Sequence, residues 1–212
     1  MIFPRWTNLL GPVAVVTVII GSLASIFVIW YWLSDNHLTV GYQPVQPIKY
    51  SHKLHVTDLG MDCRYCHTGA EVSPVAGVPS SDVCMGCHNL ILPASPEIMK
   101  LKQYQESGMP VPWKRVHKLP EYAYFDHSVH INKGVGCVSC HGRVDQMAEV
   151  RQEQSLSMSW CLDCHKAPEK VLREKHLITA ALTSMPNQIE QGKKLLESYH
   201  INTRIDCSAC HR

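Results

Sequence analysis

The chain has 212 residues, with 20 basic against 18 acidic side chains, 13 histidines and 10 cysteines. A net charge of +2 offers no basic footprint for DNA or RNA, so nucleic-acid binding is set aside. An uncharged run over residues 11–33 leaves roughly 180 residues for everything else, enough for one domain and too few for a large multidomain enzyme.

That run, GPVAVVTVIIGSLASIFVIWYWL, is longer than a signal-peptide core and matches the about 20 residues with which a helix crosses about 30 Å of hydrocarbon. No A-x-A cleavage site follows it, so it is expected to stay in the mature chain as an anchor over residues 1–36. Arg5 on one side, and Trp30, Tyr31, Trp32 and Asp35 on the other, orient the N-terminus to the cytoplasm and the bulk of the chain to the outside. Gly21 and Ser25 have small-xxx-small spacing for a neighbouring transmembrane helix, against the plainer reading of chance in a Gly- and Ala-containing span. Asp35 and His37 sit where a quinol head group could exchange protons, against the plainer role of interfacial polar residues.

Pro44 and Pro47 make residues 37–48 an extended linker, and residues 49–212 are then the working domain. Within it the pattern divides into units at about 49–92 and 113–168 and a C-terminal segment at about 187–212. Between the first two, Pro93, Pro96, Pro110 and Pro112 bracket a predicted helix near 97–106. Residues 168–182 and 187–200 read as two amphipathic helices separated by Pro186, and after the last cysteine motif comes Arg212.

All ten cysteines fall in five C-x-x-C pairs, each followed at once by histidine: Cys63, Cys66 and His67; Cys84, Cys87 and His88; Cys137, Cys140 and His141; Cys161, Cys164 and His165; Cys207, Cys210 and His211. C-x-x-C-H is the attachment signature of c-type haem. Two thiols add across the two vinyl groups of one porphyrin, and the next residue carries an imidazole to the iron as proximal ligand. A zinc ribbon needs no adjacent histidine and would leave one of five pairs without a mate, and a disulfide framework gives no reason for the histidines. The expected cofactor is therefore five haem c. Haem also answers a shortage in the composition: beyond residue 33 the chain has one phenylalanine (Phe125) and two tryptophans (Trp113, Trp160), so cofactor must supply core. The fold class expected is mainly α with sparse secondary structure, organised around haem behind one N-terminal transmembrane helix, and propionates should make the holoprotein more acidic than its sequence.

Eight histidines lie outside the motifs, and four of them recur in register. YSHKLHVTDLGMDCRYCH (50–67) and YFDHSVHINKGVGCVSCH (124–141) both read aromatic, H-x-x-H, then C-x-x-C-H, an internal duplication. Residues i and i+3 of a helical turn share a face, so His52 with His55, and His127 with His130, can each send two imidazoles to neighbouring irons as distal ligands. For the fifth distal position His117 is the first choice, Met147 and Met158 are thioether alternatives that would raise one potential, and His200, seven residues before Cys207, is a further candidate. His176 and His37 are expected to be solvated.

FDHSVHINKGVGCVSCH resembles the multihaem class III, or c3/c7-type, cytochromes. The whole layout, an anchor, SHKLH before CRYCH, then CMGCHN, WKRVHKLPEYAYFDHSVH, MSWCLDCHK and CSACHR, resembles the pentahaem membrane-anchored cytochrome c subunit of alternative complex III. The resemblance implies a non-catalytic electron carrier in a quinol-oxidising respiratory complex. Its implied partners are a polytopic quinol-binding subunit, an iron-sulfur subunit, a monohaem cytochrome c, and a terminal oxidase or periplasmic carrier. The residues agree with that role, since five proximal histidines plus enough distal candidates saturate the irons for electron transfer rather than substrate binding. Two alternatives remain: a single-anchor multihaem dehydrogenase that itself oxidises quinol, and an anion reductase, which usually carries a lysine-bearing C-x-x-C-K motif that this sequence lacks.

Overall fold

The computed structural model describes residues 3–181 and 184–211, and for Asp35 and Asn36 the backbone alone. The expectation about the Asp35 side chain, the end of the expected helix at Leu182, and Arg212 therefore lie outside the described residues. The chain divides into two compact units, Met1–Val40 and Gly41–Arg212.

The first unit is a 3-10 turn (Arg5–Leu9) leading into helix α1 (Leu10–Trp32) and a short helix α2 (Asp35–Leu38). At 1.5 Å per residue α1 is about 34 Å long, and none of its residues is buried. Its two serine hydroxyls are satisfied inside the helix: Ser22 Oγ donates to the Val18 carbonyl at 2.7 Å and Ser25 Oγ to that of Gly21 at 2.8 Å. In a hydrocarbon phase, which offers no water, that internal pairing is required. Residues Arg5–Trp32 form one helical stretch long and apolar enough to cross a membrane. Beyond it the His37 ring packs on Tyr31, centroids 4.2 Å apart.

The second unit is a chain of short helices. Each cysteine pair forms or ends one: α3 (Cys63–Cys66), α4 (Ser81–His88), α7 (Cys137–His141), α8 (Met158–Lys166) and α10 (Cys207–Cys210). One helical turn puts residues i and i+3 on the same side, so both sulfurs of a pair face one way. Polar side chains start several of these turns. Asp62 accepts from the Arg64 amide ahead of α3, and Ser157 accepts from the Trp160 amide in α8. The two H-x-x-H segments are helical too: a π-turn (Lys53–Asp58) directly after His52, and α6 (His127–Asn132), capped by Asp126. Among the described residues no strand is longer than the isolated bridges Ala123–His211 and Val135–Leu172.

Helix α5 (Pro96–Ser107) begins on a proline and ends at Gly108, whose φ of 68° reverses the chain. It packs on α4 through a cluster of Met85, Leu101 and Ile48, with Trp113 and Tyr104 at its edge. A second cluster joins Ala70, Ile131 and Ile178, and so ties the segment after the first motif to α6 and to the chain after the fourth motif. Both clusters are small for a unit of this size.

One expected helix is absent. Residues 168–181 form 3-10 turns at Pro168–Lys170 and Lys175–Leu177, joined by extended chain. Their backbone is drawn off elsewhere: the Arg173 amide donates to the Gly134 carbonyl at 2.9 Å, and the Ile178 carbonyl accepts from the Cys137 amide at 3.0 Å. Leu172 and Ile178 are buried by this docking, which outweighs helix propensity. The second expected helix forms as α9 (Gln188–Ser198), and Gly192 brings it against the Glu169 carbonyl.

Candidate haem-ligand sites

Four pairs of imidazoles face each other across similar gaps. The ring centroids of His52 and His67 are 6.4 Å apart with planes 3° from parallel, and those of His127 and His141 are 6.4 Å apart at 10°. His55 and His88 are 6.2 Å apart, and His130 and His165 are 6.0 Å apart. Two metal–nitrogen bonds of about 2 Å and two ring half-widths of about 1.1 Å give centroids about 6.3 Å apart on one metal. The four gaps thus fit one six-coordinate iron each.

Most of the outer ring nitrogens are held in the orientation that such ligation needs, while Nδ1 of His52 is buried without a hydrogen-bond partner. Nδ1 lies against a backbone carbonyl in His67 (Gly77, 2.6 Å), His88 (Ile91, 2.9 Å), His165 (Arg204, 2.8 Å) and His211 (Tyr122, 3.0 Å). The same holds for His55 (Ser51, 2.9 Å), His127 (Pro74, 2.8 Å) and His130 (Asp126, 2.7 Å). A carbonyl can only accept, so Nδ1 carries the proton and Nε2 keeps its lone pair for a metal. Burial reinforces the neutral form. Desolvation, then neighbouring imidazoles, pushes His52 down to about 4 and His141 down to about 3, and desolvation lowers His130 and His117.

The duplication seen in the sequence is one of geometry as well. The Tyr50 ring stacks on His55 (4.4 Å) and meets His52 edge-on (4.9 Å); Phe125 stacks on His130 (4.5 Å) and meets His127 edge-on (4.8 Å). In each unit one aromatic ring thus braces both imidazoles of an H-x-x-H pair.

The ten thiols are all free. Among the described residues no three His, Cys, Asp or Glu side chains converge as a metal-ion cage. Burial pushes the Cys140 thiol up to about 12 and raises Cys66, Cys84, Cys161 and Cys164. Cys63 and Cys137 lie close enough to perturb each other, which lowers the first and raises the second, so the first and third motifs stand side by side.

The other candidates do not face a proximal imidazole across such a gap. His117 lies against His141, Nε2 to Nδ1 3.4 Å. Met147 is buried, and its carbonyl accepts from the Lys53 amide. Met158 is 62% exposed at the start of α8. His200 takes a left-handed φ of 48°, and His176 pairs with Glu174 at the surface. The ring beside His211 is that of Tyr122, at 5.8 Å. Sequence reasoning missed the carbonyl acceptors, because a main-chain oxygen carries no residue signature. It also missed why GVGCVSCH needs its second glycine: a Cβ on Gly136 would lie 2.5 Å from the buried Arg173 guanidinium.

Residues 129–212 match the family described as cytochrome c3. A protein described as the multiheme cytochrome c subunit of menaquinone reductase, from Nitratidesulfovibrio vulgaris strain Hildenborough, is 39% identical over 100 residues. The match covers 47% of this chain and 47% of that protein, so it spans about half the length of the curated relative. The chain thus has five C-x-x-C-H sites, a mainly helical fold, an apolar N-terminal helix and, over residues 129–212, a cytochrome c3-like multihaem pattern.

Proposed function

We propose that this chain is the electron-relay subunit of a quinol-linked membrane complex of the alternative complex III kind, anchored by α1 and carrying five haem c. The observation that carries the proposal is the set of four imidazole pairs, 6.0–6.4 Å apart, with six of the eight outer nitrogens tied to a carbonyl. Haem supplies a one-electron ferric–ferrous couple, and the protein supplies its setting. Cys63, Cys66, Cys84, Cys87, Cys137, Cys140, Cys161, Cys164, Cys207 and Cys210 hold the five macrocycles by thioether bonds. His67, His88, His141, His165 and His211 bind iron from the proximal side. His52, His55, His127 and His130 bind the first, second, third and fourth irons from the distal side. At the six paired imidazoles whose outer nitrogen meets a carbonyl, the ligand would not need to move when the charge on the metal changes, which would keep reorganisation small.

The attachment segments are joined in space in the order second, first, third, fourth, fifth. His52 and His55 link the first to the second, as His127 and His130 link the third to the fourth. First and third are joined where His127 Nδ1 meets the Pro74 carbonyl and where Asn132 donates to that of Glu71 at 2.8 Å. Fourth and fifth are joined by Thr203 donating to the His165 carbonyl at 2.6 Å. The chain is a wire with the second and fifth motifs at its ends.

The menaquinone reductase relative favours a second reading, in which the same wire feeds electrons toward quinone. Rapid mixing distinguishes the readings. The purified assembly should show haem reduction on addition of reduced menaquinone analogue, and the isolated chain in membranes should not. Haem reduction in the isolated chain would instead make it a quinol dehydrogenase in its own right. A haem signal that quinone oxidises but quinol does not reduce would support the reverse direction.

A further inference from the structure

His141 differs from the other proximal histidines in what receives its Nδ1 proton. His67, His88, His165 and His211 face backbone carbonyls, whereas His141 Nδ1 faces Nε2 of His117 at 3.4 Å. The two rings meet edge to face, centroids 4.4 Å apart and planes at 83°. That separation is too short for an iron between them, which needs about 6.3 Å. The other side of His141 already has His127 at 6.4 Å in near-parallel stacking. The chain leading to His117 is fixed from a third direction. Gln46 and Lys114 exchange two hydrogen bonds of 2.9 Å, and Trp113 borders the cluster of Ile48, Met85 and Leu101.

We infer that His117 is a positioning residue of the third haem site, accepting the Nδ1 proton of His141, and not an iron ligand of the fifth. The inference rests on the reading that His141 binds iron through Nε2, which leaves Nδ1 protonated and makes it the donor. An imidazole acceptor gives His141 more anionic character, which strengthens its bond to ferric iron and lowers the potential of that site.

The test uses the full-length holoprotein in detergent, with three readouts: haem per chain, ferric spin state by electron paramagnetic resonance, and a redox titration. In His117→Leu the haem content and spin states should match wild type. One haem should become easier to reduce by about tenfold in equilibrium constant, a rise of about 59 mV for one electron. His117→Gln, which keeps size and an acceptor near the Nε2 position, should return that potential toward wild type, and it serves if the leucine variant does not accumulate. A new high-spin ferric signal in either variant would make His117 an iron ligand and overturn the inference, as would a leucine-variant titration superimposable on wild type. Peptide mass spectrometry of wild type that finds Cys137 and Cys140 without haem would instead overturn the haem assignment on which the inference stands.

Discussion

At the scale of single residues, the distal histidines are the assignments most open to direct test. Exchanging His127 for methionine leaves Cys137, Cys140 and His141 to attach and bind the third haem, and replaces a nitrogen donor by a thioether that favours ferrous iron. The expected outcome is full haem content with one midpoint potential raised; an unchanged titration would remove His127 from the ligand set. Asp62 carries a different prediction. Its carboxylate caps α3, takes two hydrogen bonds from Arg64 and one from Thr179, and these hold it down at about 2 against an ordinary 3.8. A carboxyl depressed in the folded state stabilises the fold fully above its unfolded value, and that contribution fades as pH falls through the window between 3.8 and about 2. Acid unfolding followed by circular dichroism should therefore show a steeper loss across that window in wild type than in Asp62→Asn; equal slopes would deny the linkage.

At the scale of elements, the motif turns and the H-x-x-H segments were legible in the sequence because their signals are local. Cysteine spacing, a capping Asp at position 126 and the repeat of aromatic with paired histidines each act within a few residues. The segment after Lys166 was not legible, because its fate is decided by partners distant in sequence. The Gly134 carbonyl and the Cys137 amide take its backbone, and no periodicity in 168–181 announces that. Gly192 shows the same dependence from the other side of the contact. It looks like a flaw in an amphipathic helix, yet a Cβ there would collide with the Glu169 carbonyl oxygen. Gly192→Ala should force α9 away from Pro168–Lys170 and cost about 1–3 kcal/mol, read as a lowered midpoint of thermal unfolding. An unchanged or raised midpoint would mean that the contact yields freely.

For the whole molecule, the composition and the cysteine motifs carried the class of protein, while the spatial order of the sites needed coordinates. A reader of the sequence numbers the motifs one to five, but the hydrogen bonds join the stretch after the first motif to the segment before the third. The division at Val40 gives a prediction at this scale. A chain beginning at Gly41 should leave the membrane fraction with its haem spectrum unchanged, since none of α1 is needed for a cysteine motif or for the paired imidazoles. If the shortened chain still sediments with vesicles, a second membrane contact lies in the haem domain.

The meeting of the first and third motifs also bears on how the protein is made. His127 is aimed by the Pro74 carbonyl and α6 is moored at Glu71, both supplied by the stretch just after the first motif. A polypeptide that emerges N-terminus first presents this stretch before the later half exists. The earlier half thereby becomes the mould on which the later one sets, and an error at residues 71–77 would appear as a fault in cofactor ligation some fifty residues downstream.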